Sequence, residues 1–271
     1  MRRSGVRSSS SPPPIYAGAS VKADAPFALG APGPYFDAMK AIDRLTEAYA
    51  AAQAGRHEEA LNEYIWFHEH ALAEARSLRG VRLSFALVYW KELGEAYPPA
   101  MEALLALRDR KVAILAAGVE AWELFNDVSA LNDTLGNARN TYDLFKHIND
   151  RSPDFADHCI GVAMPSLVAC EDFELARSFM GDPEEVIAQR IEQLNEDVAS
   201  TKERHDAEKR DRILNAFAQL TAEDILLVAK VLHHTNGETQ AEELLASSLQ
   251  AVDDPEVRTA VSTLIGARNT T

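Results

Sequence analysis

The residues best suited to chemistry in this chain are its histidines, with the acids and thiols that stand near them. His68 and His70 flank Glu69, three side chains of metal-ligand type. Residues two apart on a helix point in different directions, so these imidazoles do not meet at one ion without further ligands. Asp154 and His158 stand four apart and share a helix face, with His147, Asp150 and Asp157 close by in sequence. A carboxylate and imidazole metal site is conceivable there, but an acid directly after Pro153 is more simply a first-turn charge at a helix start. Cys159 beside His158 pairs a nucleophile with a base, yet adjacent helical residues diverge and a thiol among apolar neighbours is ordinarily packed. His233 and His234 suit a helix carboxyl end. No phosphate-cradling glycine motif, nucleophile elbow or metalloprotease helix signature is present. The expectation is a non-enzymatic protein with no catalytic residue, cofactor or metal.

Aromatic and polar side chains offer a different chemistry, that of holding a partner. Tyr64 and Phe67 share a helix face while Trp66 lies to one side, so Tyr64, Trp66, Phe67, Tyr89, Trp90, Trp122 and Phe125 do not all fit one core stripe. Core packing is the first expectation for any single ring, because aromatics supply much of a helical core. The remainder are candidates to line a groove: Tyr64, Trp66, Tyr89, Trp90 and Trp122, with Asp127, Asn132 and Asn140 as polar contacts. Helix capping is the competing explanation for those three polar residues.

The elements that must position these residues read as helices from Tyr35 to Gly266. Phe36, Met39, Ile42, Leu45 and Tyr49 form one apolar stripe ending at Gly55. A partner helix runs from about His57 to Arg76, with Leu61, Tyr64, Ile65, His68, Leu72 and Ala75 on its buried side and Arg79-Gly80 closing it. A second pair is expected over Val81–Leu93 and Tyr97–Arg108, its first apolar line being Leu83, Phe85, Leu87, Val88 and Trp90. Pro98-Pro99 open the second helix of that pair. Asn126 or Asp127 can cap a helix that stops at Gly136, and Asn137 or Asn140 can start another carrying Tyr142, Leu144, Phe145 and Ile148. Helices over Asp154–Ala169, a long polar stretch after Pro183, Ile213–Thr235, Glu238–Gln250 and Pro255–Ile265 complete the chain.

Within AAQAGRHEEALNEY, residues 51–64, a helix-closing Gly55 is followed by His57 and by the small Ala60. This stretch resembles the turn of a tetratricopeptide repeat, and Ala48 and Ala51 also fit its small-residue places, while Arg44 stands where an aromatic is usual. Weaker copies of the turn lie near Gly94 with Ala100, near Glu171 with Phe173 and Ala176, and near Gly237 with Ala241. Their separations of about 39, 77 and 66 residues are unequal, against a regular period of about 34. The resemblance implies an all-α fold of stacked antiparallel helix pairs, a tetratricopeptide-like α-solenoid or superhelix, and implies a protein-binding scaffold or adaptor.

Composition bounds the partners. A formal charge of −15 opposes non-specific binding to nucleic acid or anionic membrane, and no run approaches the length of a membrane-spanning helix. A protein or peptide partner, basic in character, fits better. Two cysteines without paired spacing suggest buried thiols in a reducing, cytoplasmic setting. Residues 1–34 are rich in Ser, Pro and Gly and carry Arg2, Arg3, Arg7 and Lys22 against one acid, Asp24, which reads as a disordered tail. The helical domain is expected over 35–266 and a short carboxyl tail over 267–271. Two other functions fit the same sequence: a bacterial immunity protein neutralising a basic toxin, and a metal-dependent enzyme on a helical scaffold.

Overall fold

In the computed structural model, residues 34–204 and 207–268 are described, and their regular structure is entirely helical, as the all-α reading expects. The tail expected over 1–34 lies outside the described residues except for Pro34, which opens the first helix. Of the tail expected over 267–271, residues 267 and 268 belong to the last helix. No helix among the described residues is long and apolar enough to cross a membrane.

The described residues divide into two compact units, 34–163 and 164–268. The first holds α1 (Pro34–Gln53), α2 (His57–Glu74), a 3-10 turn (Arg76–Leu78), α3 (Arg79–Leu83), α4 (Phe85–Ala96), α5 (Pro98–Ala116), α6 (Trp122–Thr134) and α7 (Ala138–Arg151). Connections of one to three residues join α1 to α2, α4 to α5 and α6 to α7, and such short links force antiparallel pairs. The pairs stack in order, α2 packing on α4 and α5 on α6. The division between units falls inside α8 (Pro153–Ala169), next to Pro165, a residue with no N–H to bond the carbonyl of Gly161. In the second unit α11 (Ala207–Thr235) is central. Around it pack α9 (Phe173–Met180), α10 (Pro183–Arg204), α12 (Glu238–Ala251) and α13 (Pro255–Arg268). Ile191, Leu194, Ile225, Val231, Leu244 and Val261 are among its buried side chains.

Local turn chemistry sets the hairpins. Gly55 takes φ +79°, its N–H reaching the Ala52 carbonyl at 3.1 Å and the Arg56 N–H reaching Ala51 at 2.9 Å. This crossed pair satisfies carbonyls that a helix end leaves free. Gly118, Gly136 and Glu171 close α5, α6 and α8 with the same two bonds. Glu171 does so at φ +60° despite its side chain, so the turn forms where the favoured glycine is missing. At α9 and α10 the following helix starts on an aspartate, Asp172 accepting from the Leu175 N–H at 3.3 Å and Asp182 from the Glu184 N–H at 2.9 Å.

Several sequence expectations are corrected. The buried face of α1 is Ala38, Ala41, Leu45, Ala48 and Ala51, while Met39 and Tyr49 are exposed. Small residues let α1 approach α2 closely, and α2 fills the gap with Tyr64 and Phe67. Gly80 sits inside α3 and closes nothing. Gly94 lies inside α4 rather than at its end, and a Cβ there would meet Met101 at 3.0 Å; it is a point of close approach between α4 and α5. In α4 itself Phe85 and Val88 face outward, and α5 continues past Arg108 to Ala116.

Candidate functional site

The most concentrated chemistry in the first unit is a buried charge cluster that joins α2, α3, α5 and α6. Arg82 donates from both terminal nitrogens to Asp127, at 2.7 Å to Oδ1 and 2.6 Å to Oδ2. Its Nε donates to the His68 carbonyl at 2.6 Å, and Nη2 lies 3.1 Å from His68 Nε2. Lys111 adds a third cationic contact, Nζ to Asp127 Oδ2 at 2.8 Å. Because guanidinium only donates, His68 Nε2 must accept, which places the ring proton on Nδ1. Nδ1 is buried and has no hydrogen-bond partner among the described residues.

Burial, then the Arg82 charge, lowers the His68 pKa to about 3, so the ring is neutral over the ordinary pH range. Burial acts to raise the Asp127 carboxyl, but the hydrogen bonds and charges of Arg82 and Lys111 outweigh it and hold the group below its usual value. A cleft of about 220 Å³ lies beside His68, lined by Ile65, Trp90, Leu107 and Arg110 among others. The cluster's polar groups are directed at one another, and this arrangement ties four helices together.

The other titratable candidates are held separately. His70 Nδ1 bonds the Trp66 carbonyl at 2.9 Å and His158 Nδ1 bonds the Asp154 carbonyl at 2.7 Å, each on its own helix. Among the described residues no three His, Cys, Asp or Glu side chains are grouped to hold a metal ion. Cys159 is fully buried, and burial pushes its thiol up to about 12, a poor nucleophile at neutral pH. His234 stacks on Phe173 with ring centroids 3.9 Å apart.

Four of the expected partner contacts lie in the interior. Tyr64 and Trp90 are core residues, the latter donating from Nε1 to the Ala100 carbonyl at 2.9 Å. Asn132 is 0% exposed and donates to Thr141 Oγ1 at 3.0 Å, and Asp127 belongs to the charge cluster rather than to a cap or a surface. Trp66, Trp122 and Asn140 are half-buried. Arg44 covers the Trp66 ring at 3.6 Å and His70 stacks on it, while Arg79 lies over Trp122 at 5.6 Å.

Tyr89 leads to the surface that the sequence reading missed. It packs against Tyr49 across α1 and α4, ring centroids 4.5 Å apart. Phe85 lies one turn before Tyr89 on α4 and Val88 one turn after Phe85, and the two are 61% and 44% exposed, with Tyr49 at 36%. Glu92, one turn further on, is exposed and has no hydrogen-bond or ion-pair partner among the described residues. Beneath this face the Tyr64 hydroxyl is buried without a partner. Burial chiefly, then the nearby Glu92 charge and Tyr49 and Tyr89, hold that phenol well above its usual pKa. The signal was in FALVYWKELGEA: α4 is apolar on two sides, Ala86, Leu87, Trp90 and Leu93 inward and Phe85 and Val88 outward, with the half-buried Tyr89 at the margin between them and the core.

Comparison with protein-family models, with curated protein sequences and with solved structures finds no match.

Proposed function

We propose that this chain is a non-enzymatic interaction scaffold or adaptor, a diverged tetratricopeptide-like stack of helix pairs that holds a protein or peptide on the outward face of α1 and α4. The observation that carries this reading is the contiguous Tyr49, Phe85, Val88 and Tyr89 surface, on a unit whose other large side chains are mostly packed. Exposed apolar side chains that adjoin across two helices cost free energy unless something covers them, whereas scattered ones are ordinary. Internal partners or plain burial account for the perturbed groups His68, Asp127 and Cys159, and Asp224, raised to about 6 by burial, is paired with Arg190 at 2.6 Å. The acidic balance favours a basic partner over nucleic acid. Free cysteines, Cys159 buried and Cys170 half-buried, accord with a cytoplasmic setting.

Affinity capture from the native host, comparing the intact chain with the Phe85→Ser, Val88→Ser double variant, tests the proposal. A protein retained by the first and lost by the second, at unchanged circular dichroism, is the expected result. Equal recovery of the same proteins by both removes the face as the binding surface.

A further inference from the structure

Glu92 decides what kind of partner the face can take. It follows Val88 by four residues and Tyr89 by three, so its carboxylate stands at the edge of the apolar surface on the same side of α4. Glu95, the next acid along α4, pairs with Lys91 at 3.5 Å. Glu92 is exposed and unpaired among the described residues. An apolar patch edged by one open carboxylate is complementary to an apolar side chain with a cation beside it.

The alternatives meet opposing charge. A second copy of this chain would have to dock against a molecule of the same formal charge of −15, which opposes self-association. An acidic peptide would meet Glu92 directly, and a purely basic one would leave Phe85 and Val88 uncovered. We infer that the Tyr49, Phe85, Val88 and Tyr89 face takes a peptide segment of a partner protein in which an apolar side chain lies next to a lysine or arginine, the cation pairing with Glu92. This rests on the interaction-scaffold reading above and adds to it the chemistry of the ligand.

Fluorescence anisotropy on the full chain tests the inference with three labelled peptides of equal length, alternating Leu–Lys, Leu–Glu and Ser–Lys. The Leu–Lys peptide binds and the other two do not. Glu92→Gln weakens binding about 3- to 5-fold, the range of a partly exposed ion pair. Glu242→Gln, the same charge change at an exposed position in α12, leaves it unaltered. Phe85→Ser with Val88→Ser weakens it on the order of 10-fold or more, as loss of the central apolar contacts should. Equal effects of Glu92→Gln and Glu242→Gln would overturn the inference by reducing the charge dependence to net attraction. Tight binding of Leu–Glu that is lost in the Phe85, Val88 variant would also overturn it while leaving the face as a docking surface. Absence of binding by all three peptides overturns it too, and a sedimenting dimer that disappears on Phe85→Ser would then identify a second copy as the occupant.

Discussion

Arg82 meets His68, Asp127 and a backbone carbonyl with one guanidinium, so the effect of removing a member depends on what is left behind. Asp127→Asn strands two cations, Arg82 and Lys111, with no counter-charge in the interior. Urea titration should show a loss of about 3–5 kcal/mol. Lys111→Met keeps the Arg82–Asp127 pair and should cost less, about 1–2 kcal/mol. His68 adds a pH dependence whose sign is fixed by its lowered pKa. In the unfolded chain it binds a proton near its ordinary value of about 6.5, whereas the folded ring resists protonation until about 3. The unfolded state therefore binds more protons between these values. The His68 contribution to stability falls as pH drops below about 6.5, by up to about 1.4 kcal/mol per unit, while Asp224, raised to about 6 by burial, acts in the opposite direction below that pH. His68→Phe should flatten the thermal transition's pH dependence in that window; an unchanged slope would show that other groups carry it. The burial of His68 was legible from its place on the apolar side of α2, but the pairing that surrounds it was not. Arg82 carries no local sign of burial, because its counter-ion Asp127 lies 45 residues away, and Asp127 itself reads as a helix cap until the packing places it mid-helix.

At the scale of elements, turns proved readable and faces less so. Gly55, Gly136 and the glycine-free turn at Glu171 follow from short-range chemistry, and all three take the positive φ that ends a helix. Gly55→Ala should destabilise by about 1 kcal/mol and Glu171→Gly should stabilise by a similar amount, because only glycine adopts this backbone without a Cβ penalty. Gly94 resembles them in sequence and differs in role. Its alanine variant should be destabilised by about 1–3 kcal/mol in chemical denaturation, since Met101 backbone and Cβ atoms stand 3.0 Å from the new carbon. A gain in stability would mean that alanine's helix preference outweighs the crowding. The α1 stripe was misjudged for a related reason. Large apolar residues mark hydrophobicity, but the alanines mark where two backbones come close, and closeness chose the inner face. Phe85 and Val88 went the same way: an apolar line was visible, and only the packing of Leu87 and Trp90 shows which side of α4 was left outside.

For the whole molecule, charge and surface jointly define the interaction proposed here. The amino-terminal segment is basic, so the helical remainder is more acidic than the −15 of the entire chain. Partner association should therefore slow and weaken as salt rises through the physiological range. Stopped-flow association at several ionic strengths would reveal this, and a salt-independent rate would count against charge steering. All-helical architecture and antiparallel pairing were legible from periodicity and turns, while the candidate face was not, because exposure is a property of the assembled pairs. The most direct measurement places a photo-crosslinking amino acid at Phe85 in the living native host, with Leu220, 52% exposed in the other unit, as the control position. A discrete adduct with one partner is expected from position 85 and none from 220. No adduct at 85, or the same adducts from both positions, would contradict it.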